Sequence, residues 1–243
     1  ALIFQQFQKF MKKYQKKYNS MNEFLARYEV FRRNVMSTFE NQEESSYSTG
    51  ITKFSDLTKQ EFTKIYSNIN YDDLSQANFI PTKANSNIGA PDSWDWREHG
   101  YVPPSIDEGY CGAFWAFTIM DHLSFLYSRY KGQQKPFSAQ FLIDCDTSDS
   151  GCNGGEVITS LTWIKSNGIM LEEDYPYTGT KGTCKKDPSK YIDMKVTGYR
   201  KLGSSSSIWS PVDEDEMKEF LYENGPLMVA FNGNELLDYG GGI

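Results

Sequence analysis

The sequence is poor in histidine, has no long apolar run and carries no excess of positive charge. Its 243 residues include 2 histidines and 4 cysteines, and the net charge is −7. No apolar stretch approaches the roughly 18 residues of a membrane-spanning helix, so we predict no membrane span. Phosphate binding requires clustered Lys and Arg, so the acidic balance argues against a nucleic-acid partner. No group of His, Cys and Asp has metal-ligand spacing, and we expect no metal and no other cofactor.

The four cysteines, Cys111, Cys145, Cys152 and Cys184, all lie within one segment of the chain. An even number within one segment indicates two disulfides and therefore an oxidising compartment. Four cysteines allow three connectivities, and their spacing alone does not choose among them.

Apolar periodicity and composition divide the chain into a helical first region, a polar linker and a larger second region. Two helices are marked by apolar residues that recur on one face, namely Ile3, Phe7, Phe10, Tyr14 and Tyr18, then Phe24, Tyr28, Phe31 and Val35. We predict boundaries at 1–66, 67–89 and 90–243. Further elements are predicted as a strand over 51–54, a helix over 57–65, helices over 114–130, 138–145, 157–167 and 215–224, and a buried strand over 227–231.

One short segment carries a recognisable catalytic motif. Residues 111–115, Cys-Gly-Ala-Phe-Trp, match the nucleophile signature of papain-type cysteine proteases at every position except the nucleophile. Other segments resemble later landmarks of that family, namely DSWDWREHG, SAQFLIDC, GCNGG, YPYTGTKGTC and NGPLMVAF. Over nearly its whole length the chain therefore resembles a cathepsin L-like member of the papain family. The resemblance implies an α+β, papain-like fold, with a helical left domain and a truncated β-rich right domain.

Residues 1–66 resemble the α-helical inhibitory propeptide of the same family. The matching positions are Glu23, Arg27, Phe31 and Asn34 in a helical signature, and Gly50, Phe54 and Asp56 in a second motif. Thr38, Gln42 and Thr52 depart from the family pattern. The resemblance also implies the disulfides Cys111–Cys152 and Cys145–Cys184. It places the protein in the secretory pathway, in an extracellular, lysosomal or vacuolar lumen.

The resemblance makes the candidate catalytic positions testable one by one. Phe114 stands at the nucleophile position, and a phenyl ring can neither ionise nor attack a carbonyl. Glu108 stands where the family has an oxyanion-binding Gln, and an ionised carboxylate cannot donate a hydrogen bond. Counted from residue 114, the window for the catalytic histidine opens at about residue 244, and His99 and His122 match no catalytic position.

The substrate groove is the remaining feature that the resemblance implies. Gly154 and Gly155 match a segment whose backbone pairs with an extended peptide, so a peptide in the groove is an expected partner. Glu156, beside them, either makes the adjoining pocket more acidic or is solvated at its rim.

These positions together predict that the chain is not an enzyme. The leading hypothesis is a non-catalytic papain homologue, or pseudoprotease, in zymogen-like form that acts as a structural or peptide-binding component. One alternative is an authentic cysteine endopeptidase precursor whose His and Asn lie in a missing C-terminal segment. A second alternative is a propeptide-type inhibitor of related cysteine proteases. We expect a protein partner or a further C-terminal segment to cover the truncated β-rich domain.

Overall fold

The computed structural model describes residues 2–40, 46–66, 80–82, 88–203 and 211–242. The helices are α1 (Leu2–Lys13), α2 (Met21–Glu40), α3 (Lys59–Tyr66), α4 (Trp96–His99), α5 (Phe114–Lys131), α6 (Ala139–Cys145), α7 (Val157–Asn167) and α8 (Glu214–Asn224). The strands are β1 (Tyr47–Thr49), β2 (Ile80–Thr82), β3 (Arg200–Leu202) and β4 (Tyr239–Gly242). The chain forms two compact units, Ala1–Ser67 with Phe231–Ile243, and Asn68–Ala230.

The first unit is built on an aromatic core between α1 and α2. Phe31 of α2 lies with its ring centroid 5.1 Å from that of Phe7 and 4.9 Å from that of Phe10, and all three side chains are buried. Phe7 and Phe10 are three residues apart and therefore lie on the same side of α1, where they face Phe31 of α2. The packing of these rings holds the two helices together. Val35 completes the buried cluster one turn beyond Phe31.

The same unit includes the last described residues of the chain. Strand β4 pairs antiparallel with β1, and the backbone N–H of Gly50 donates to the carbonyl oxygen of Asp238 at 2.8 Å. The Thr52 hydroxyl donates to the carbonyl oxygen of Leu237 at 2.5 Å. Segments far apart in sequence are therefore joined mainly through backbone groups.

The second unit is organised around α5, the longest helix of that unit. Its buried face packs against α6 and α7 and includes Trp115, Ile119 and Met120, all at most 1% exposed. Two disulfides, Cys111–Cys152 and Cys145–Cys184, join segments separated by 41 and 39 residues. The sheet content is small, since β2 and β3 form a two-stranded parallel pair.

Several elements differ from the sequence-based predictions. The strand predicted over 51–54 is a turn, and the strand of this region is β1. Residues 227–231, predicted to be a buried strand, have no regular structure, and no strand of the described ranges pairs with them. A strand requires a partner for its backbone hydrogen bonds, and the sequence pattern does not reveal whether one is present. Within the predicted linker, residues 67–79 and 83–87 lie outside the described residues, as does Gln42.

Candidate active site

The motif segment leads directly into the N-terminus of α5. Phe114 is the first residue of this helix, and its half-buried ring packs against the core of the second unit. Ala113, at the N-cap, offers no side-chain oxygen to the free N–H groups of the first turn. The Glu108 carboxylate lies beside this helix start, because its Oε2 accepts from the backbone N–H of the N-cap residue Ala113 at 2.7 Å. The negative charge is also favourable at the positive end of the helix dipole.

Glu108 is held from its backbone as well. Its carbonyl oxygen accepts a 2.7 Å hydrogen bond from the hydroxyl of Tyr177. Burial raises the pKa of Tyr177 to about 12, and the nearby charges of Glu108 and Asp107 add to this increase. The phenol therefore stays protonated at physiological pH and remains a hydrogen-bond donor. Glu108 is thus a fixed carboxylate beside residue 114.

The predicted groove segment lies against the same helix. Gly154 has φ of +105°, which disfavours any residue with a side chain. A Cβ on Gly155 would lie 2.4 Å from the indole ring of Trp115, so only glycine fits without displacing that ring. The indole nitrogen of Trp115 in turn donates to the carbonyl oxygen of Gly151 at 3.1 Å. Gly155 is therefore required by the packing of the motif helix, and Gly154 by its backbone conformation.

Glu156 has a structural role in this segment. The side chain is 4% exposed, and its two carboxylate oxygens accept from the backbone N–H groups of Ile158 and Thr159 at 3.0 and 2.7 Å. It is thus the N-cap of α7. The alternative in which Glu156 is solvated at a rim is wrong, because helix capping holds the side chain inside.

Neither histidine lies in a catalytic arrangement with residue 114 in the described structure. The ring of His99 stacks on Trp94 with a centroid distance of 3.7 Å. Burial lowers the pKa of His122, and its Nδ1 has no hydrogen-bond partner among the described residues. All four cysteines are in disulfides, so the chain has no free thiol. No group of His, Cys, Asp and Glu in the described ranges is arranged to bind a metal ion.

The predicted propeptide motif comes together around Asp56. This side chain is 3% exposed, and its carboxylate accepts from Lys16 Nζ at 2.9 Å and from the Tyr18 hydroxyl at 3.0 Å. Sequence reasoning did not identify Lys16 and Tyr18 as its partners. They follow α1 and carry no local signal of a contact with a residue about 40 positions away.

Two further motif residues, Arg27 and Asn34 of α2, contact the turn that contains Asp56. Arg27 donates to the carbonyl oxygen of Asp56 at 3.0 Å and to the Glu61 carboxylate at 2.8 Å. The side-chain amide of Asn34 donates to the carbonyl oxygens of Ser55 and Leu57 at 3.0 and 2.9 Å. The hydrogen bond from Arg27 is the main reason why the pKa of Glu61 is lowered to about 2. The motif is thus a set of contacts between α2 and one turn.

The remaining motif residues support the helices themselves. Glu23 accepts from the backbone N–H of Asn19, and its own N–H donates to the Ser20 hydroxyl, so these bonds cap the start of α2. Thr58 and Glu61 form a reciprocal capping box at the start of α3, and the sequence analysis did not identify it. The ring of Phe54 lies 5.0 Å from that of Phe62.

Comparison with known proteins gives the chain its family. The model of the papain family cysteine proteases matches residues 90–243, and the model of the cathepsin propeptide inhibitor domain (I29) matches residues 7–62. A probable cysteine protease of Arabidopsis thaliana, RD19B, is 35% identical over 96% of this chain. A cathepsin L-like proteinase of Phaedon cochleariae is 32% identical over 96% of it. The chain spans 66% of the Arabidopsis protein and 72% of the Phaedon protein.

Solved structures of protease precursors share the fold. The digestive procathepsin L2 proteinase of Tenebrio molitor larval midgut superposes with a TM-score of 0.85 at 28% identity, covering 99% of this chain and 79% of its own. Recombinant stem bromelain precursor gives a TM-score of 0.80 at 28% identity, with 100% and 77% covered. The predicted papain-like fold preceded by an inhibitor-type propeptide is confirmed.

The prediction that the chain is not an enzyme is wrong, because the matching family is one of proteases and the relatives are named as cysteine proteases. That prediction extended the chemistry of single side chains, Phe114 and Glu108, to the function of the whole protein. The relatives instead match 96% of the chain, and the propeptide motif lies within the matched propeptide domain. The chain belongs to the papain family of cysteine proteases and carries a cathepsin-type propeptide domain.

Proposed function

We propose that this chain belongs to the precursor of a papain-like cysteine endopeptidase, with residues 1–66 as its inhibitory propeptide, 67–89 as the linker and 90–243 as the peptidase region. The observation that carries the proposal is the order of the two family matches, 7–62 and then 90–243, which is the order of a zymogen. The precursor structures of similar fold support it. The disulfides fit an oxidising lumen, either secretory or lysosomal or vacuolar.

The packing and the hydrogen bonds of the first unit support the propeptide function. The rings of Phe7, Phe10 and Phe31 form a closed core, and the contacts of Asp56 and Arg27 join the turn to both helices. An inhibitory segment must keep its shape before it binds, since ordering on binding reduces affinity. We therefore propose that these contacts serve inhibition by pre-organising the propeptide.

The groove function rests on Gly154 and Gly155. Their backbone is the predicted site for pairing with an extended peptide. Val229 and Phe231, on the exposed segment after α8, are 59% and 64% exposed. We propose that a further protein segment, from the same gene product or from a partner, covers these apolar side chains.

The catalytic assignment depends on position 114. A thiolate mechanism needs a cysteine at the nucleophile position, where this chain has Phe114. The decisive experiment therefore compares the native protein with F114C and F114A, each freed of its propeptide and assayed with a fluorogenic peptide. F114A is the matched control, because it removes the ring without adding a thiol.

We expect F114C to hydrolyse the peptide on the order of 10³-fold faster or more than F114A. A thiol-directed epoxide should abolish this hydrolysis, and the uncleaved propeptide should suppress it. The rate of the native protein in the same assay measures the activity that does not depend on a thiol at this position. If F114C with both disulfides intact is no faster than F114A, then position 114 is not the nucleophile position and the endopeptidase proposal fails.

A further inference from the structure

The second unit contains a cavity that the proposed peptide chemistry does not use. It has a volume of about 240 Å³ and lies beside α5, one to two turns beyond Phe114. Most of its lining is apolar and comes from Pro103 and Pro104 of the loop before the motif, from Phe117 of α5 and from Phe137. A cavity needs only about 10–15 Å³ to hold one water, so this one accepts an organic group of several heavy atoms.

Two carboxylates interrupt the apolar lining. Asp121 of α5 and Glu172 both face this cavity. Glu172 Oε1 accepts from the backbone N–H of Tyr177 at 2.8 Å. Asp121 takes part in no hydrogen bond and no ion pair within the part of the chain that the structure describes. Asp121 is half-buried, so its charge is partly desolvated and the described residues give it no donor in compensation.

The two carboxylates also repel each other. Burial raises the pKa of Asp121 to about 6, and the negative charge of Glu172 adds to the increase. Burial likewise raises the pKa of Glu172. No lysine, arginine or histidine is among the residues that line the cavity. A bound cation would therefore compensate the two carboxylates, and an apolar group on that cation would fill the space between the apolar walls.

We propose that this cavity is a binding site for a primary alkylammonium group, held by Asp121 and Glu172 with its alkyl chain against Pro103, Phe117 and Phe137. An ammonium group donates three hydrogen bonds and can serve both carboxylates at once. The alkyl chain replaces water on the apolar walls. A metal ion fits the site less well, because the described residues provide no third ligand there. This site is independent of the proposed peptidase chemistry.

The test is isothermal titration calorimetry of the native protein at pH 7.5 with n-butylamine hydrochloride. We expect a dissociation constant on the order of 1 mM, which is within the affinity limit for a ligand of about five heavy atoms. The uncharged analogue n-butanol should bind at least tenfold more weakly. The variants D121N and E172Q should each weaken n-butylamine binding at least tenfold, whereas D92N, which alters an exposed carboxylate, should not change it.

A third ligand distinguishes the two sources of such a group. If Nα-acetyl-lysine methylamide binds as well as n-butylamine, the natural ligand is a lysine side chain presented by a polypeptide. If n-butylamine alone binds, the natural ligand is a free amine, and the proposal stands in either case. Equal binding of n-butanol and n-butylamine, or equal binding of n-butylamine to D121N and D92N, would overturn it. The thermal unfolding of each variant verifies that it is folded, and peptide hydrolysis plays no part in the readout.

Discussion

The two units of the molecule are stabilised in different ways. The first unit has an aromatic core and a set of ionic contacts around one turn, and none of its residues is a cysteine. The second unit has two disulfides and a larger apolar core around α5. One carboxylate in each unit adds a contrast, since the pKa of Glu61 in the first unit is lowered and that of Asp121 in the second unit is raised. We therefore expect reduction of the disulfides to affect the second unit and these two carboxylates to respond to pH in opposite directions.

The aromatic core should be the most sensitive part of the first unit. Phe31→Ala removes a fully buried ring that contacts Phe7 and Phe10, and we expect it to reduce the free energy of unfolding of this unit by about 3–5 kcal/mol. Amide hydrogen exchange of α1 and α2, followed by mass spectrometry, measures the loss. The control is Phe39→Ala on the same helix, where the ring is 62% exposed. Equal effects of the two variants would show that this core does not stabilise the unit.

The disulfides should matter only to the second unit. Replacing Cys145 and Cys184 by serine opens a loop of 39 residues, and we expect a loss of about 2–4 kcal/mol, as is typical of native disulfides. Denaturant unfolding monitored by hydrogen exchange resolves the two units. Exchange in α1 and α2 should stay unchanged. Faster exchange in those helices would mean that the units do not unfold independently, contrary to the comparison above.

The Arg27–Glu61 contact should make the first unit sensitive to acid. The pKa of Glu61 is lowered from 4.5 to about 2, so its contribution to stability is full above pH 4.5 and is lost as the pH falls toward 2. Because the pair is partly exposed, E61Q should cost roughly 1 kcal/mol at pH 7 and clearly less at pH 2, where about half of the Glu61 carboxylates are protonated. Urea unfolding at several pH values measures this difference.

The matched control for that variant is E29Q. Glu29 pairs with Arg32 on an open face of α2, at 2.9 Å. Exposed pairs contribute little, so E29Q should change stability by less than about 0.5 kcal/mol at any pH. If E29Q reduces the free energy of unfolding as much as E61Q does, the contact of the Arg27–Glu61 pair with the turn at Asp56 adds no stability.

Much of the first unit could be predicted from the sequence, and the reason is local. The face of α2 that carries Phe31 and Val35 follows from spacing alone, because a helix repeats every 3.6 residues. Strand β4 could not be predicted, since its three glycines give no side-chain pattern and it pairs with β1, almost 200 positions earlier. Similarly, the predicted strand at 227–231 depends on a partner that periodicity does not reveal.

In the candidate active site, too, the sequence predicts the position of a side chain but not its tertiary partner. The positions of Phe114 and Glu108 follow from the motif, but the hydrogen bond from Ala113 to the Glu108 carboxylate depends on the fold of the turn. Glu156 matches a groove position in sequence and yet caps α7. Asp121 had no sequence signal, because its neighbour Glu172 is brought to it only by the tertiary structure.

Asp121 allows the contrast with Glu61 to be tested at a single side chain, whose pKa is raised instead of lowered. Its pKa is raised from 3.8 to about 6, so the folded unit favours the protonated acid, and stability decreases as the pH rises from 3.8 through 6. D121N removes the charge with little change in shape. After allowance for partial exposure, it should raise the free energy of unfolding by roughly 1 kcal/mol at pH 7 and leave it unchanged at pH 3. D92N should have no effect at either pH, and the measurement is urea unfolding of the second unit. If D121N is destabilising at pH 7, the carboxylate has a partner within the protein, and the second unit does not gain stability on acidification through this residue.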